Sequence, residues 1–219
     1  MQKSVNWGHK RPTQHQNAMI NIDSINKAPL KTAPFPYFTV MQSMLDEKLP
    51  QLVQEFPAIT RGGSFNKEDL DLSDNYDALH QSLDSAGFRQ ALSEKFDVDV
   101  IDAPIMLTYR GFSRNKDGRV HTDSKTKLLT ILIYFNDGWS AETGKLRILN
   151  SDDMNDIAEE VNPTAGCMIA FKVTDNCWHG YPSFEGTRNA IQVNFLASEA
   201  ASKKHKFFHK MSAKLKSLK

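Results

Sequence analysis

The sequence predicts a mainly β protein with packing helices, in which a helical segment comes first and a β sandwich or barrel second, the jelly roll being its commonest version. Three observations carry that expectation. From Ile101 onward, short runs rich in Val, Ile, Leu, Phe and Tyr alternate with turn clusters. Between residues 46 and 96 the apolar residues recur instead at helical spacing. The chain has 219 residues, 40% hydrophobic and 24% charged, which is ordinary globular composition and enough for a sizeable core.

In chain order, residues 35–40 read as a short strand that Pro34 and Pro36 confine to a sheet edge. Residues 46–56 place Leu49, Leu52, Val53 and Phe56 on one helical face, with Pro50 tolerable only in the first turn. A second helix is expected over about 76–96 from Leu79, Leu83, Phe88, Leu92 and Phe96, with Gly87 as a point of interruption. The strand runs are 105–110, 127–135, 145–149, 167–173 and 188–196, broken by Asn115–Gly118, Asn136–Gly138 and Pro182–Gly186.

Charge and cysteine content narrow the function classes. With 27 basic and 26 acidic side chains the net charge is +1, so no nucleic-acid partner is expected. Residues 199–219 hold seven lysines and one acid, Glu199, so this tail carries +6 and the rest of the chain −5. Phe207, Met211, Leu215 and Leu218 form an apolar stripe in it, suited to docking on the protein's own acidic body, an acidic partner or a membrane surface. Cys167 and Cys177 read as buried reduced thiols. No run is long and apolar enough for a transmembrane segment, and the opening residues lack a secretory apolar stretch, which together point to a cytoplasmic protein.

Chemistry concentrates in the second half. In R-V-H-T-D, His121 and Asp123 are two residues apart in a strand-like stretch, so their side chains leave one face. Alone, such a pair says little. His179 follows the 167–173 strand region, and Arg188 opens the next strand after the turn P-S-F-E-G. Two imidazoles and one carboxylate make the facial triad that holds non-haem Fe(II) and leaves positions open. An arginine inside the same barrel is costly unless it meets an anion, and its fork suits a carboxylate.

With H-T-D at 121–123, I-Y-F-N-D-G-W at 133–139, G-K-L-R-I at 144–148, W-H-G at 178–180 and R-N-A-I-Q-V-N-F at 188–195, residues 34–197 resemble the Fe(II)- and 2-oxoglutarate-dependent dioxygenase superfamily, in its prolyl-4-hydroxylase-like branch. The resemblance implies a double-stranded β-helix (a cupin-like jelly roll) over 101–198, preceded by a helical part over 34–100, with residues 1–33 as an N-terminal arm and 199–219 as a basic C-terminal tail. It implies metal ligation by His121, Asp123 and His179, and 2-oxoglutarate held through its distal carboxylate by Arg188 and Tyr134. Fe(II), 2-oxoglutarate and O2 are the implied cofactors, with ascorbate as a further candidate. The implied reaction hydroxylates an aliphatic C–H bond of a peptidyl residue, an amino acid or a polar metabolite, releasing succinate and CO2.

Strand alternation agrees with that placement. Thr130, Leu132 and Tyr134 share the ligand-site face, and Leu129, Ile131, Ile133 and Phe135 the packing face. Arg188, Ala190, Gln192 and Asn194 point inward likewise. The sequence also departs from the family pattern. The tyrosine common three residues before the first ligand is Gly118, for which Tyr109 is the substitute from the preceding strand; Thr143 replaces one glycine of a pair; and Gln192 stands near the cosubstrate where a small hydroxyl residue is usual. Substrate is expected to enter between the 111–120 loop and residues 60–75, as a polar molecule rather than a hydrophobic one. The rival reading, a non-oxidative cupin-like metal-binding protein using the same three ligands, has no need of a carboxylate clamp such as Arg188 with Tyr134.

Overall fold

The computed structural model describes residues 18–200. The runs of Val, Ile, Leu and Phe form two antiparallel sheets. The larger has six strands: β1 (Tyr37–Val40), β2 (Phe65–Asn66), β3 (Ile105–Ser113), β4 (Lys127–Tyr134), β7 (Met168–Lys172) and β9 (Gly186–Leu196), in the spatial order β1-β7-β4-β9-β3-β2. The smaller is β6 (Ile157–Val161), β5 (Leu146–Leu149) and β8 (His179–Gly180), in that order. His121 extends this sheet by one bridge, exchanging backbone hydrogen bonds of 3.0 Å with His179 in both directions. The mainly β, jelly-roll class expected from the sequence is the class observed. β1 lies at the sheet edge, as its flanking prolines require.

Among the described residues four α-helices precede β3: α1 (Ile22–Lys27), α2 (Leu49–Gln54), α3 (Asp74–Leu83) and α4 (Ala86–Phe96). Pro50 falls in the first turn of α2, where its missing N–H costs nothing. The stretch expected as one helix over 76–96 is two. The break lies not at Gly87 but at Asp84–Ser85, where the Ser85 side chain caps α4 by accepting from the Phe88 amide.

The two faces of the large sheet are covered differently. Leu129, Ile131, Ile133 and Phe135 of the β4 stretch and Ile191, Val193 and Phe195 of β9 join Leu79, Leu83, Phe88 and Leu92 from the helices in one core. The other face packs Leu132, Tyr134 and Ala190 against Leu146 and Ile148 of the small sheet, and this second layer contains the open cavity described below. The arm expected over 1–33 is packed from Met19 on, because Met19, Ile20 and Ile25 bury against the helical core and Lys95 donates to the Ala28 carbonyl at 2.7 Å. The basic stripe over 207–218 lies outside the described residues. Cys167 and Cys177 are free and buried, and burial pushes the Cys167 thiol up to about 12. Among the described residues no helix is long and apolar enough to cross a membrane.

His80 on α3 is enclosed in this core, its Nε2 2.6 Å from the Tyr109 hydroxyl. Burial holds its pKa below the usual histidine value, so the folded ring stays neutral where the unfolded chain takes up a proton near pH 6.5. The native state then binds fewer protons than the unfolded one, and stability must fall as pH drops below about 6.5 toward the folded value. His80→Gln, which can hydrogen-bond but not titrate, is expected to show a smaller loss between pH 7 and pH 5 in urea unfolding. An unchanged loss would assign the pH dependence to other groups.

Candidate metal centre and cosubstrate cavity

Three ligand-type side chains converge where the small sheet meets the strand-end loops. One nitrogen of His121, one of His179 and one carboxylate oxygen of Asp123 lie within 4.8 Å of one another. The local sequence produces this directly: His121 and Asp123 leave one face of an extended stretch, and the backbone pairing of His121 with His179 sets the imidazoles side by side, ring centroids 4.3 Å apart and planes tilted by 51°.

The hydrogen bonds behind each imidazole fix which nitrogen faces the cluster. His121 Nδ1 is 2.9 Å from the Arg119 carbonyl and His179 Nδ1 is 2.8 Å from the Cys177 carbonyl, in each case two residues back along the chain. A carbonyl only accepts, so both Nδ1 atoms carry a proton, and in a neutral ring so held Nε2 is the atom with the lone pair. Burial, reinforced by the neighbouring His121, pushes the His179 pKa down to about 4, which keeps this imidazole in the neutral form a metal requires.

Asp123 is the anionic member. Burial works against its charge, but the Lys127 ammonium 2.7 Å away, His179 and the Thr130 hydroxyl hold its carboxyl below the usual aspartate value. One hydrogen bond on each carboxylate oxygen leaves a second lone pair on each. Two imidazoles whose Nδ1 atoms are turned to backbone carbonyls and one ionised carboxylate are the donor set of a mononuclear non-haem iron site, so these residues fit such an ion.

The cluster opens into a cavity of about 410 Å³ lined by Thr130, Leu132, Leu146, Tyr181, Arg188 and Gln192 among others. Arg188 is 5% exposed. Its Nε donates to the Gly144 carbonyl at 2.8 Å, Nη2 approaches the Tyr134 hydroxyl at 3.4 Å, and the guanidinium lies over the Tyr181 ring at 4.1 Å. Among the described residues no carboxylate pairs with it. A buried guanidinium without an anion is expensive, so this end of the cavity suits an anionic group.

Of the residues singled out from sequence, His121, Asp123, His179, Arg188 and Gln192 line this one space, and Tyr134, fully buried, adjoins it through Arg188. Tyr109 does not join them. Its odd position on β3 turns it to the helix-covered face, where its ring packs beside Phe56, Tyr76 and His80. The phenol of the cavity is Tyr181, from the W-H-G-Y stretch on the far side. Gly118 makes room for it: at φ +81° a Cβ there would come within 2.5 Å of the Tyr181 ring. Two further residues escaped sequence reasoning. Lys127 opens β4 and could have been found as a basic residue four positions after Asp123. Arg110 could have been found as an inward-phase residue of β3.

Residues 107–196 match the family model described as the 2OG-Fe(II) oxygenase superfamily. Among solved structures the chain is similar to a Pseudomonas putida prolyl-4-hydroxylase at 14% identity and a TM-score of 0.55, covering 81% of this chain and 92% of that one. It is similar to a viral collagen prolyl hydroxylase of Paramecium Bursaria Chlorella virus-1, solved as a 2OG complex, at 15% identity and a TM-score of 0.51, over 74% and 96% of the two chains. A prolyl 4-hydroxylase of Phytophthora capsici matches at 14% identity and a TM-score of 0.51, over 84% of this chain and 64% of that one. At these identities the structural likeness is one of fold. No curated protein matches the sequence. The matched segment begins in β3 and ends with β9, and so contains all three converging ligand residues and Arg188. Over residues 107–196 the chain is thus similar to the 2OG-Fe(II) oxygenase superfamily.

Proposed function

We propose that this protein hydroxylates an aliphatic C–H bond of a peptidyl residue, an amino acid or a polar metabolite, converting 2-oxoglutarate and O2 to succinate and CO2. The observation that carries this reading is a single cavity with the His121, Asp123 and His179 cluster at one end and, at the other, a buried arginine that no carboxylate among the described residues pairs with. His121, Asp123 and His179 would hold Fe(II), which when bound supplies the redox chemistry with O2 and the 2-oxo acid.

The protein's own groups act around that chemistry. The Arg119 and Cys177 carbonyls hold the two imidazoles in one tautomer and orientation. Lys127 and Thr130 keep the Asp123 carboxylate ionised and aimed. Arg188 and Tyr134 would receive the distal carboxylate of 2-oxoglutarate, a dicarboxylate that a neighbour of the same fold holds in its solved complex. Leu132 and Leu146 wall the space between and shed water from it. A redox-neutral metal protein has no use for that clamp.

Substrate would enter beside the 114–119 loop, where a smaller cavity opens between Gly63–Ser64 and Arg114. The test is succinate release from 2-oxoglutarate by the purified chain with Fe(II), across a panel of peptides, amino acids and polar metabolites, with and without ascorbate. Turnover that needs Fe(II) and stops on chelation is expected. A metal-loaded chain that neither binds nor consumes 2-oxoglutarate would defeat the reading.

A further inference from the structure

Arg110 is a second guanidinium in the cavity that the cosubstrate does not account for. It stands on β3 opposite Ala190 of β9, in the phase that points inward, just before a bulge at Gly111. Its Nε is enclosed without a hydrogen-bond partner among the described residues. The two acids of the cavity are already engaged. Both oxygens of Asp117 accept from Arg114, at 2.8 and 3.0 Å, and those of Asp123 accept from Lys127 and Thr130. Burial, together with the neighbouring Arg188, works against the charge of Arg110, yet a guanidinium keeps its proton at any ordinary pH. Such a group is stable in place when an oxyanion answers it.

The charge balance says that the oxyanion is not 2-oxoglutarate alone. The metal-side cavity is lined by Arg110, Lys116, Arg119, Lys127 and Arg188. A metal dication and a cosubstrate dianion cancel each other, and Lys127 is answered by Asp123. Positive charge is left over in a chain whose body, outside the basic tail, is net negative. Arg110 and Arg188 also both line the smaller cavity of about 210 Å³ bounded by Gly63, Ser64, Arg114 and Tyr181, and none of the three candidate metal ligands reaches it. A group bound there would sit one chamber away from the reacting centre.

We propose that Arg110 binds an oxyanion group of the primary substrate, a carboxylate or a sulfate or phosphate ester, in this outer chamber while Arg188 holds 2-oxoglutarate. The word substrate rests on the oxygenase reading; the anion site does not. It narrows the substrate to a polar molecule that carries an anionic group besides the C–H bond attacked.

Isothermal titration of sulfate into the full chain, loaded with Mn(II) and saturated with 2-oxoglutarate without O2, tests this. One sulfate is expected to bind with 2-oxoglutarate still in place. Arg110→Gln should weaken sulfate at least tenfold and change 2-oxoglutarate affinity less than about twofold, as expected for loss of a charge-assisted contact. Arg188→Gln should do the reverse, and Arg110→Lys, which keeps the charge, should retain part of the sulfate affinity. Acetate and methyl phosphate titrated in the same way rank carboxylate against ester. Competition between sulfate and 2-oxoglutarate, equal loss of 2-oxoglutarate in both glutamine variants, sulfate binding by Arg110→Gln at wild-type strength, or no sulfate binding by the wild type would each overturn the proposal. If 2-oxoglutarate fails to bind while Arg110-dependent sulfate binding persists, the oxygenase reading falls and the anion site stands.

Discussion

His179→Ala is expected to lose metal binding by more than about 100-fold and to bring succinate release to background, while the fold survives. The bound follows from smaller perturbations: removing a group that only orients a ligand already costs 10–100-fold in metal affinity, and here a donor atom itself is removed. Survival of the fold follows from where His179 is held. Its backbone N–H and carbonyl pair with His121, and the alanine variant keeps both bonds. The side chain makes one hydrogen bond, to the Cys177 carbonyl, and packs on Phe171 at 4.8 Å between centroids. Truncation also removes a buried imidazole held far below its usual pKa, which lightens the acid sensitivity of the metal-free protein. Titration of Mn(II) beside circular dichroism checks both halves. A variant that binds Mn(II) within threefold of wild type would show that the three side chains are not the metal site.

The features legible in the sequence are those set by local period. Alternation assigned residues 129–135 of the β4 stretch and Arg188 and residues 190–195 of β9 to their faces, because a period of two leaves no freedom once one inward residue is placed. The His-x-Asp pair was legible for the same reason. What depended on contacts between distant segments was not. Tyr109 was placed at the site by proximity in sequence, but its phase on β3 sends it to the helix side, and the phenol that fills the cavity comes from residue 181 across a glycine at 118. Arg110 shares β3 with Tyr109 in the opposite phase and so faces the cavity. β6 carries Glu159 and Glu160 and has its first two residues exposed, so it offered no apolar run to read; it is a strand because β5 offers it an edge. The packed N-terminal segment was missed because six residues of α1 bury only Ile25 in full, too little for a periodic signal.

Arg188→Ala is expected to raise the KM for 2-oxoglutarate about 10- to 100-fold with Mn(II) affinity unchanged within about twofold. A hydrogen bond to a charged group contributes roughly 1.5–3 kcal/mol, and each 1.4 kcal/mol is tenfold. Arg188 is pre-set to deliver that contact: Gly144 fixes its Nε at 2.8 Å and Tyr181 stacks on its plane, so little side-chain freedom is lost when the carboxylate arrives. Metal affinity is spared because Arg188 makes no hydrogen bond to His121, Asp123 or His179 among the described residues. Arg188→Lys keeps the charge but loses both the fork and the stacking, and should fall between the two. Tyr134→Phe removes one neutral hydroxyl 3.4 Å from Nη2, and an increase of about two- to tenfold is expected from a contact of 0.5–1.5 kcal/mol. The ordering, alanine above lysine and both above the tyrosine variant, separates a carboxylate clamp from a merely structural arginine, whose loss would lower the melting temperature and leave KM in place. A wild-type KM in Arg188→Ala would remove the clamp and with it the main support for 2-oxoglutarate at this end of the cavity.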